Sequence, residues 1–576
     1  MVTEPDLRVR TERAGAFDRE EALARLGREH FDVLVIGGGI TGAGVALDAA
    51  SRGLRVALVD KGDFASGTSS KSSKMVHGGI RYLTQRELRL VYENLAERQR
   101  LLDNAPHLVS PLPFLIPLFG HDGVVAKTVA RSYSSALLLY DATGGLRIGN
   151  HHRRVDREVA LEHLPLLRTD RLVAGFLYFD ARADDARLAL TVVRTAVLDF
   201  GAVAANYAPV TGFLTDVGGR VVGARVEPVG ATEALEVRAS VVVNAGGVWA
   251  DEVRALDEGH DPRSLRPAKG VHVTVPLDRL PCDIAAVLPV PKDRRSIFVV
   301  PWPEAGFVYL GTTDTSYAGP LDDPLCTGDD VDYLLGTANA ATTAGLTRAD
   351  VTGVWAGLRP LLAPQDPAEQ LSERTADLSR RHAVFSAPSG LVTVTGGKLT
   401  TYRKMAEDTV DEVARQLRGR AIGRCVTKRL ALRGAPKTGG QPWTADHRGL
   451  APAALAHLRA RYGTEAGEVL RSAEGRPELL TPLVDGLPYL GVEFVHAVRR
   501  EMARSLDDLL ARRTRAVLLD ARASAAAAGA VARLVTPELG WDEATAAAEV
   551  ARFTAFTRHT LEAAGLDDLD ALRASA

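Results

Sequence analysis

Three glycines at fixed spacing limit this chain more than any other feature of its sequence. The apolar run 31–36, Phe-Asp-Val-Leu-Val-Ile, stops at Gly37-Gly38-Gly39, and Gly37-x-Gly39-x-x-Gly42 leads into a helix-patterned segment over 40–52. A short apolar run bounded by glycine suits a strand buried on both faces of a parallel sheet. A second run, 55–60, ends on Asp60. Strand, glycine turn, helix, strand and terminal acid in this order make a dinucleotide-binding unit. The first glycine permits the tight turn, the second lets the backbone approach a pyrophosphate, and the third lets helix and strand pack closely. The helix N-terminus turns N–H groups and a positive dipole end toward the phosphates. Asp60 is placed to accept hydrogen bonds from a ribose diol. NAD-dependent enzymes share the unit, so it does not by itself choose the dinucleotide.

The next segment narrows the choice. Ser66-Gly-Thr68-Ser69-Ser-Lys71-Ser72-Ser73-Lys74-Met-Val-His77-Gly78-Gly79 is dense in hydroxyls and ends in a double glycine. Such a loop can donate hydrogen bonds to a second phosphate and a ribityl chain; otherwise it is a solvated serine linker.

Length and composition set outer limits. At 576 residues, two or three domains are expected. With 70 basic and 72 acidic side chains the net charge is −2, which gives no support for a nucleic-acid partner bound through a global basic surface. Cys282, Cys326 and Cys425 are widely spaced without a CxxC pair. They make neither a disulfide framework nor a structural zinc site, so no metal is assigned and a reducing cytoplasm is the plain reading. No uncharged apolar run is long enough to span a bilayer, and Arg8, Arg10 and Arg13 precede no apolar segment of a secretory signal. A soluble or peripherally attached protein is expected.

The chain resembles the FAD-dependent glycerol-3-phosphate dehydrogenases, a branch of the glycine/D-amino-acid-oxidase-like flavoproteins. The resemblance is carried in order by VIGGGITGAGVALDAASRGLRVALVD (35–60), TSSKSSKMVHGGIRYL (68–83), DARADDARL (180–188), VVNAGGVWAD (242–251), KGVHVTVP (269–276), GTTDT (311–315), GLRPLL (357–362) and GGKLTTYRKMAE (396–407). The tail segment 493–515 matches as well. The departures are mild: that family often has Glu where this chain has Asp60, and Gly-Pro-Trp where it has Gly247-Val248-Trp249. Either carboxylate binds a ribose.

The resemblance implies an α/β fold, with a Rossmann-like FAD-binding domain, an inserted and mainly antiparallel β-sheet substrate domain, and an all-α C-terminal domain. The expected boundaries are 1–30 for an N-terminal extension and 31–110 for the first part of the FAD domain, joined discontinuously by 175–250 and 351–430. The substrate-binding cap takes 111–174 and 251–350, and the helical domain 441–576. Gly37, Gly39, Gly42, Asp60, Thr68, Ser69, Ser73, Lys74, His77, Gly78, Gly246, Gly396, Gly397 and Leu399 are expected to bind FAD.

The implied substrate, sn-glycerol 3-phosphate, is a small dianion with a secondary alcohol. Arg81, Tyr82, Arg359 and Lys398 match substrate positions by the resemblance, and a guanidinium fork suits bidentate phosphate contact. Only ten of the 70 basic residues are lysine, so a single arginine carries little information without such context. His272 is the candidate base because imidazole titrates near neutral pH, and a satisfied strand histidine is the competing reading. Arg359 and Lys398 are set beside it as catalytic candidates. Among the acids of 180–185, capping of the following helix is favoured over pairing with site arginines. The expected reaction is oxidation to dihydroxyacetone phosphate, with electrons passed to a quinone. An oxygen-reducing glycerol-3-phosphate oxidase, or another flavin hydroxy-acid or amine oxidase, is the alternative. Apolar residues of 124–140 with Lys127 and Arg131 offer a contact with the inner membrane surface, and a buried core helix is the other reading. The location expected is cytoplasmic or peripheral on the cytoplasmic membrane face, and a homodimer is admitted.

Overall fold

The computed structural model describes residues 15–566 apart from 81, 83–86, 121–126, 145–147, 292–294, 364–380, 418, 420 and 437–449, and it leaves out the side chains of 127–132. Its first sheet is built on the strand His30–Ile36, which pairs in parallel with Val56–Val59 on one side and Leu235–Asn244 on the other. Val203–Ala205 extends the sheet beyond Val56–Val59, and Val392–Gly396 extends it beyond Leu235–Asn244. Val33, Leu34 and Val35 are wholly buried, because helices cover one face and the Arg19–Leu26 helix with a further hairpin covers the other. That double covering is why the run reads as continuously apolar rather than alternating.

A ten-stranded, mainly antiparallel second sheet holds the middle of the chain. Leu265–Pro276 is its axis, paired with Phe307–Gly311 and, from Leu265↔Leu362 to Thr274↔Gly353, with Gly353–Leu362. Val109–Phe119 pairs along its length with Leu172–Ala183. Two expected boundaries therefore move. Leu172–Ala183 and Gly353–Leu362, assigned from 175 and 351 to the dinucleotide domain, are strands of the second sheet, because their hydrogen-bonding partners lie there.

The last part of the chain is helical, with Pro452–Tyr462, Gly491–Glu501, Ala521–Leu539 and Glu543–Ala563 as its main helices and a π-type turn at Asp508–Arg513. It is fastened to both sheets. Thr352 Oγ1 donates to the Leu519 carbonyl at 2.6 Å. Arg512 and Arg513 both reach the carboxylate of Asp63 at 2.7 Å, and Arg187 pairs with Glu501 in the buried interface. Among the described residues no helix is long and apolar enough to cross a membrane.

Candidate active site

The dinucleotide end of the site follows from the glycine turn. Gly37 has φ +107°, which an L side chain rarely adopts. A Cβ on Gly42 would stand 1.8 Å from the Gly37 carbonyl oxygen, so no other residue lets helix Ile40–Ser51 come this close to the turn. The helix has no acidic residue in its first turn, and Ile40 N donates to Ser69 Oγ at 2.9 Å. The serine loop is thereby anchored to the helix N-terminus. Asp60 accepts from Gly38 N at 2.5 Å and Gly62 N at 2.8 Å, and burial pushes its carboxyl up to about 6. Asn244 sets the second glycine turn: its Oδ1 accepts from Gly246 N at 3.0 Å while its Nδ2 donates to the Ala250 carbonyl. A cavity of about 350 Å³ lies beside this cradle, lined by Lys61, Ser66, Thr68 and Trp249 among others. The buried Trp249 Nε1 has no hydrogen-bond partner among the described residues.

The second sheet contributes the candidate residues His272 and Arg359. Gly270 and His272 share a face of Leu265–Pro276, two residues apart. A Cβ on Gly270 would meet the Arg359 guanidinium at 2.4 Å, which is why glycine stands there. Arg359 Nη2 donates to Thr312 Oγ1 at 2.8 Å and to the Thr313 carbonyl at 3.3 Å, and Nη1 lies 3.4 Å from Asp314 Oδ1. His272 stacks on Trp355 with centroids 4.7 Å apart and planes within 9°. Its Nε2 is 2.8 Å from Ser73 Oγ, whereas its buried Nδ1 has no hydrogen-bond partner among the described residues. Burial, followed by the cations of Lys74 and Arg359, holds this imidazole well below the usual histidine range, so it is neutral.

The segment 73–82 joins the two ends. Thr68 Oγ1 donates to the Leu358 carbonyl at 2.6 Å. Gly78 N is bonded by Tyr140 Oη at 3.0 Å and Asp180 Oδ1 at 3.1 Å. His77 N donates to Thr400 Oγ1 at 3.2 Å, which brings the double glycine against the turn formed by Gly396, Gly397 and Leu399. Lys398 Nζ sits 3.8 Å from the ring centroid of Tyr82. Arg81 lies outside the described residues, as do the side chains of Lys127 and Arg131.

Two acids depart from the capping role expected for 180–185. Asp184 does cap its helix, accepting from Arg187 N. Asp180 instead accepts from Tyr140 Oη at 2.6 Å and pairs with Arg98 at 2.7 Å. Asp185 turns inward to Lys74 at 3.0 Å. Consecutive helical residues point about 100° apart, so a pair of aspartates at a helix start cannot share one task. Asn244, Thr312, Trp355 and Asp185 are further residues of the site. All four stand within or beside quoted motifs, but for Asp185, inside DARADDARL (180–188), the sequence favours a capping role.

Comparison with known proteins adds the following. A family model described as FAD dependent oxidoreductase matches residues 32–403, and one described as C-terminal domain of alpha-glycerophosphate oxidase matches 425–546. Glycerol-3-phosphate dehydrogenase 2 of Mycobacterium tuberculosis is 43% identical over 571 residues, covering 98% of this chain and 94% of that one. The mitochondrial glycerol-3-phosphate dehydrogenase of Mus musculus is 35% identical, covering 91% and 73%. The crystal structure of glycerol-3-phosphate dehydrogenase from Bacillus halodurans complexed with FAD superposes with a TM-score of 0.74 at 32% identity, covering 96% of this chain and 99% of that one.

Proposed function

From the premise that this chain belongs to the FAD-dependent glycerol-3-phosphate dehydrogenases, we propose how its two-ended site works and where its electrons go. The enzyme is a flavoprotein that oxidises glycerol 3-phosphate, and FAD is its cofactor. The residues present fit that cofactor. Gly37 and Gly42 leave the backbone bare at the helix N-terminus, and Asp60 stands at the end of the second strand as a half-buried acceptor. Trp249 Nε1 is a donor without a partner among the described residues, at the neighbouring cavity. Thr68, Ser69, Ser73, Lys74, His77, Gly78, Gly246, Gly396, Gly397 and Leu399 complete the set assigned to it. Bound FAD supplies the hydride acceptor for the substrate C2 carbon.

The chain's own residues do the rest. Arg359, held in its plane by Thr312 and Asp314, presents a fork to the phosphate. Arg81 and Lys398 add cationic charge for the dianion. His272 accepts the C2 hydroxyl proton. Its Nδ1 is sealed among protein atoms, so the accepting atom is Nε2, and the proton arrives from the side of Ser73. Ser73 Oγ relays it: the hydroxyl gives its own proton to Nε2 and takes the one from the substrate. The product is dihydroxyacetone phosphate. The observation that carries this reading is the placement of a neutral His272 and a fixed Arg359 on adjoining strands, with the serine loop hydrogen-bonded to the imidazole.

Electrons leave to a quinone drawn from the cytoplasmic membrane surface. Supporting this, Tyr133, Leu138 and Leu139 of the Lys127–Ala142 helix are exposed, Leu138 by 64%, a pattern that suits interfacial rather than spanning contact. Anaerobic addition of sn-glycerol 3-phosphate to the yellow protein is expected to bleach its flavin absorbance, and unchanged absorbance would overturn the assigned chemistry. Comparing quinone-dye reduction with oxygen consumption and peroxide release decides the acceptor. Peroxide in proportion to substrate would make the protein an oxidase.

A further inference from the structure

The serine loop that meets His272 is not held by the dinucleotide domain alone. Asp185, wholly buried, accepts from five donors. Its Oδ2 takes Ser72 N at 3.0 Å and Ser72 Oγ at 2.7 Å. Its Oδ1 takes Lys74 Nζ at 3.0 Å, Ala186 N at 3.0 Å and Arg515 Nη2 at 2.8 Å. Arg515 belongs to the helical C-terminal domain, yet the same Nη2 also reaches the Ser70 carbonyl at 2.5 Å. A buried carboxylate needs such partners, since an uncompensated charge in the interior is costly. The two residues flanked by these contacts are the ones that matter for the imidazole. The Ser72 carbonyl accepts from Trp355 Nε1 at 3.2 Å, and Trp355 is the ring on which His272 stacks. The Ser73 carbonyl accepts from Tyr309 Oη at 2.9 Å, and the Ser73 hydroxyl lies 2.8 Å from His272 Nε2. Lys74 itself sits at φ +56°, a left-handed conformation unusual for lysine, with its ammonium turned inward to Asp185.

We propose that the C-terminal domain positions the proton-accepting group of the dehydrogenase: Arg515, acting through Asp185, fixes Ser72–Lys74 and so sets Ser73 against His272. Arg515 and Asp185 are positioning residues, acting on the imidazole through the serine loop. The inference rests on the reading of His272 as the proton acceptor, and it gives the C-terminal domain a task in the chemistry. A lost contact of this kind disturbs geometry at the reacting centre, where small displacements have large rate effects.

The test uses the full-length flavoprotein and follows anaerobic flavin reduction by sn-glycerol 3-phosphate in stopped flow. Arg515→Met is expected to slow the limiting reduction rate about tenfold, with substrate affinity within about twofold of wild type and FAD content unchanged. Arg515→Lys, which keeps the cation, is expected to recover most of that rate. In a His272→Asn background Arg515→Met should add no further loss, because both changes act on one step. A full, additional tenfold loss in that background would overturn the proposal. So would a wild-type rate for Arg515→Met while His272→Asn is slow. If His272→Asn reduces its flavin at the wild-type rate, the proton-acceptor reading itself falls and the positioning role with it. Should Arg515→Met fail to hold FAD, Ser72→Ala removes the hydroxyl's contacts to Asp185 and to Lys74 N, both within the same loop anchorage, and is expected to slow reduction about threefold. An unaltered rate there would overturn the proposal.

Discussion

The ammonium of Lys398 stands over the face of Tyr82, 3.8 Å from the ring centroid, and Tyr82 is itself buried. A cation so placed is held by the ring quadrupole with roughly 0.5–2 kcal/mol, more when water is excluded. The tyrosine therefore orients the positive charge proposed to meet the substrate phosphate. Tyr82→Leu is expected to weaken glycerol 3-phosphate binding about 3- to 30-fold, the range set by that interaction, whereas Tyr82→Phe keeps the ring and should stay near wild type. Titration of flavin bleaching with substrate measures both, and equal affinities for the two variants would remove the ring from the account.

Arg359 is fixed by Thr312, Thr313 and Asp314 around its guanidinium. Its replacement by lysine retains charge and loses the fork, and the two are not equivalent at bidentate sites. Arg359→Lys is expected to raise KM about tenfold, a cost of roughly 1.4 kcal/mol, and Arg359→Ala more, with flavin content unchanged in both. Steady-state kinetics beside an absorbance ratio of flavin to protein separates the two effects. Loss of FAD in Arg359→Ala would place the residue in the cofactor site instead.

Desolvation pushes the Asp60 carboxyl up to about 6, with Gly38 N, Gly62 N and the Lys61 charge partly offsetting it and Asp63 raising it further. The charged form, present above that value, accepts ribose hydroxyls more strongly than the protonated one. FAD uptake by the apoprotein should accordingly weaken as pH falls through about 6. In Asp60→Asn, uptake should be weaker at neutral pH by about tenfold and lose that pH dependence. Fluorescence quenching of added FAD reads both, and an Asn variant that keeps the pH dependence would exclude Asp60 as its source.

His496, only 1% exposed, is held down to about 4 chiefly by burial, with Glu501 and Glu465 raising it and Arg194 and Arg187 lowering it. Between 6.5 and 4 the unfolded chain takes up a proton that the folded protein refuses. Stability is thus greatest above 6.5 and falls with acidification through that window, by about 3 kcal/mol for a shift of this size. The Tm should drop between pH 7 and pH 5, and His496→Gln should lose part of that drop. An undiminished drop in the variant would assign the acid sensitivity elsewhere.

What the sequence makes legible here is local. Gly37, Gly39, Gly42 and Asp60 act within one βαβ unit, so spacing alone locates them. Val109–Phe119 is harder, since Pro111, Pro113 and Pro117 argue against a strand. The three prolines share one parity, so their missing donors all face the same side and the ladder to Leu172–Ala183 is kept. Arg515 is illegible from spacing. It is one of sixty arginines, and its carboxylate partner lies 330 positions away. The neighbouring Asp184 and Asp185 look alike in sequence, and only the three-dimensional helix start shows that one caps and the other turns to Lys74. His272 gains its meaning in the same way, from Ser73 and Trp355, which belong to two other segments of the chain.

The ties of Arg512 and Arg513 to Asp63, three positions beyond Asp60, carry a consequence for biosynthesis. A nascent chain reaches its glycine turn within the first tenth of translation, but Asp63 and Asp185 stay without these counter-charges until residue 515 has emerged. Burial of either acid before then is penalised. The turn that carries Asp63 and the serine loop held by Asp185 therefore receive their last charge partners near chain completion, and a polypeptide released early in its last eighth carries a finished nucleotide fingerprint beside two acids short of their arginines.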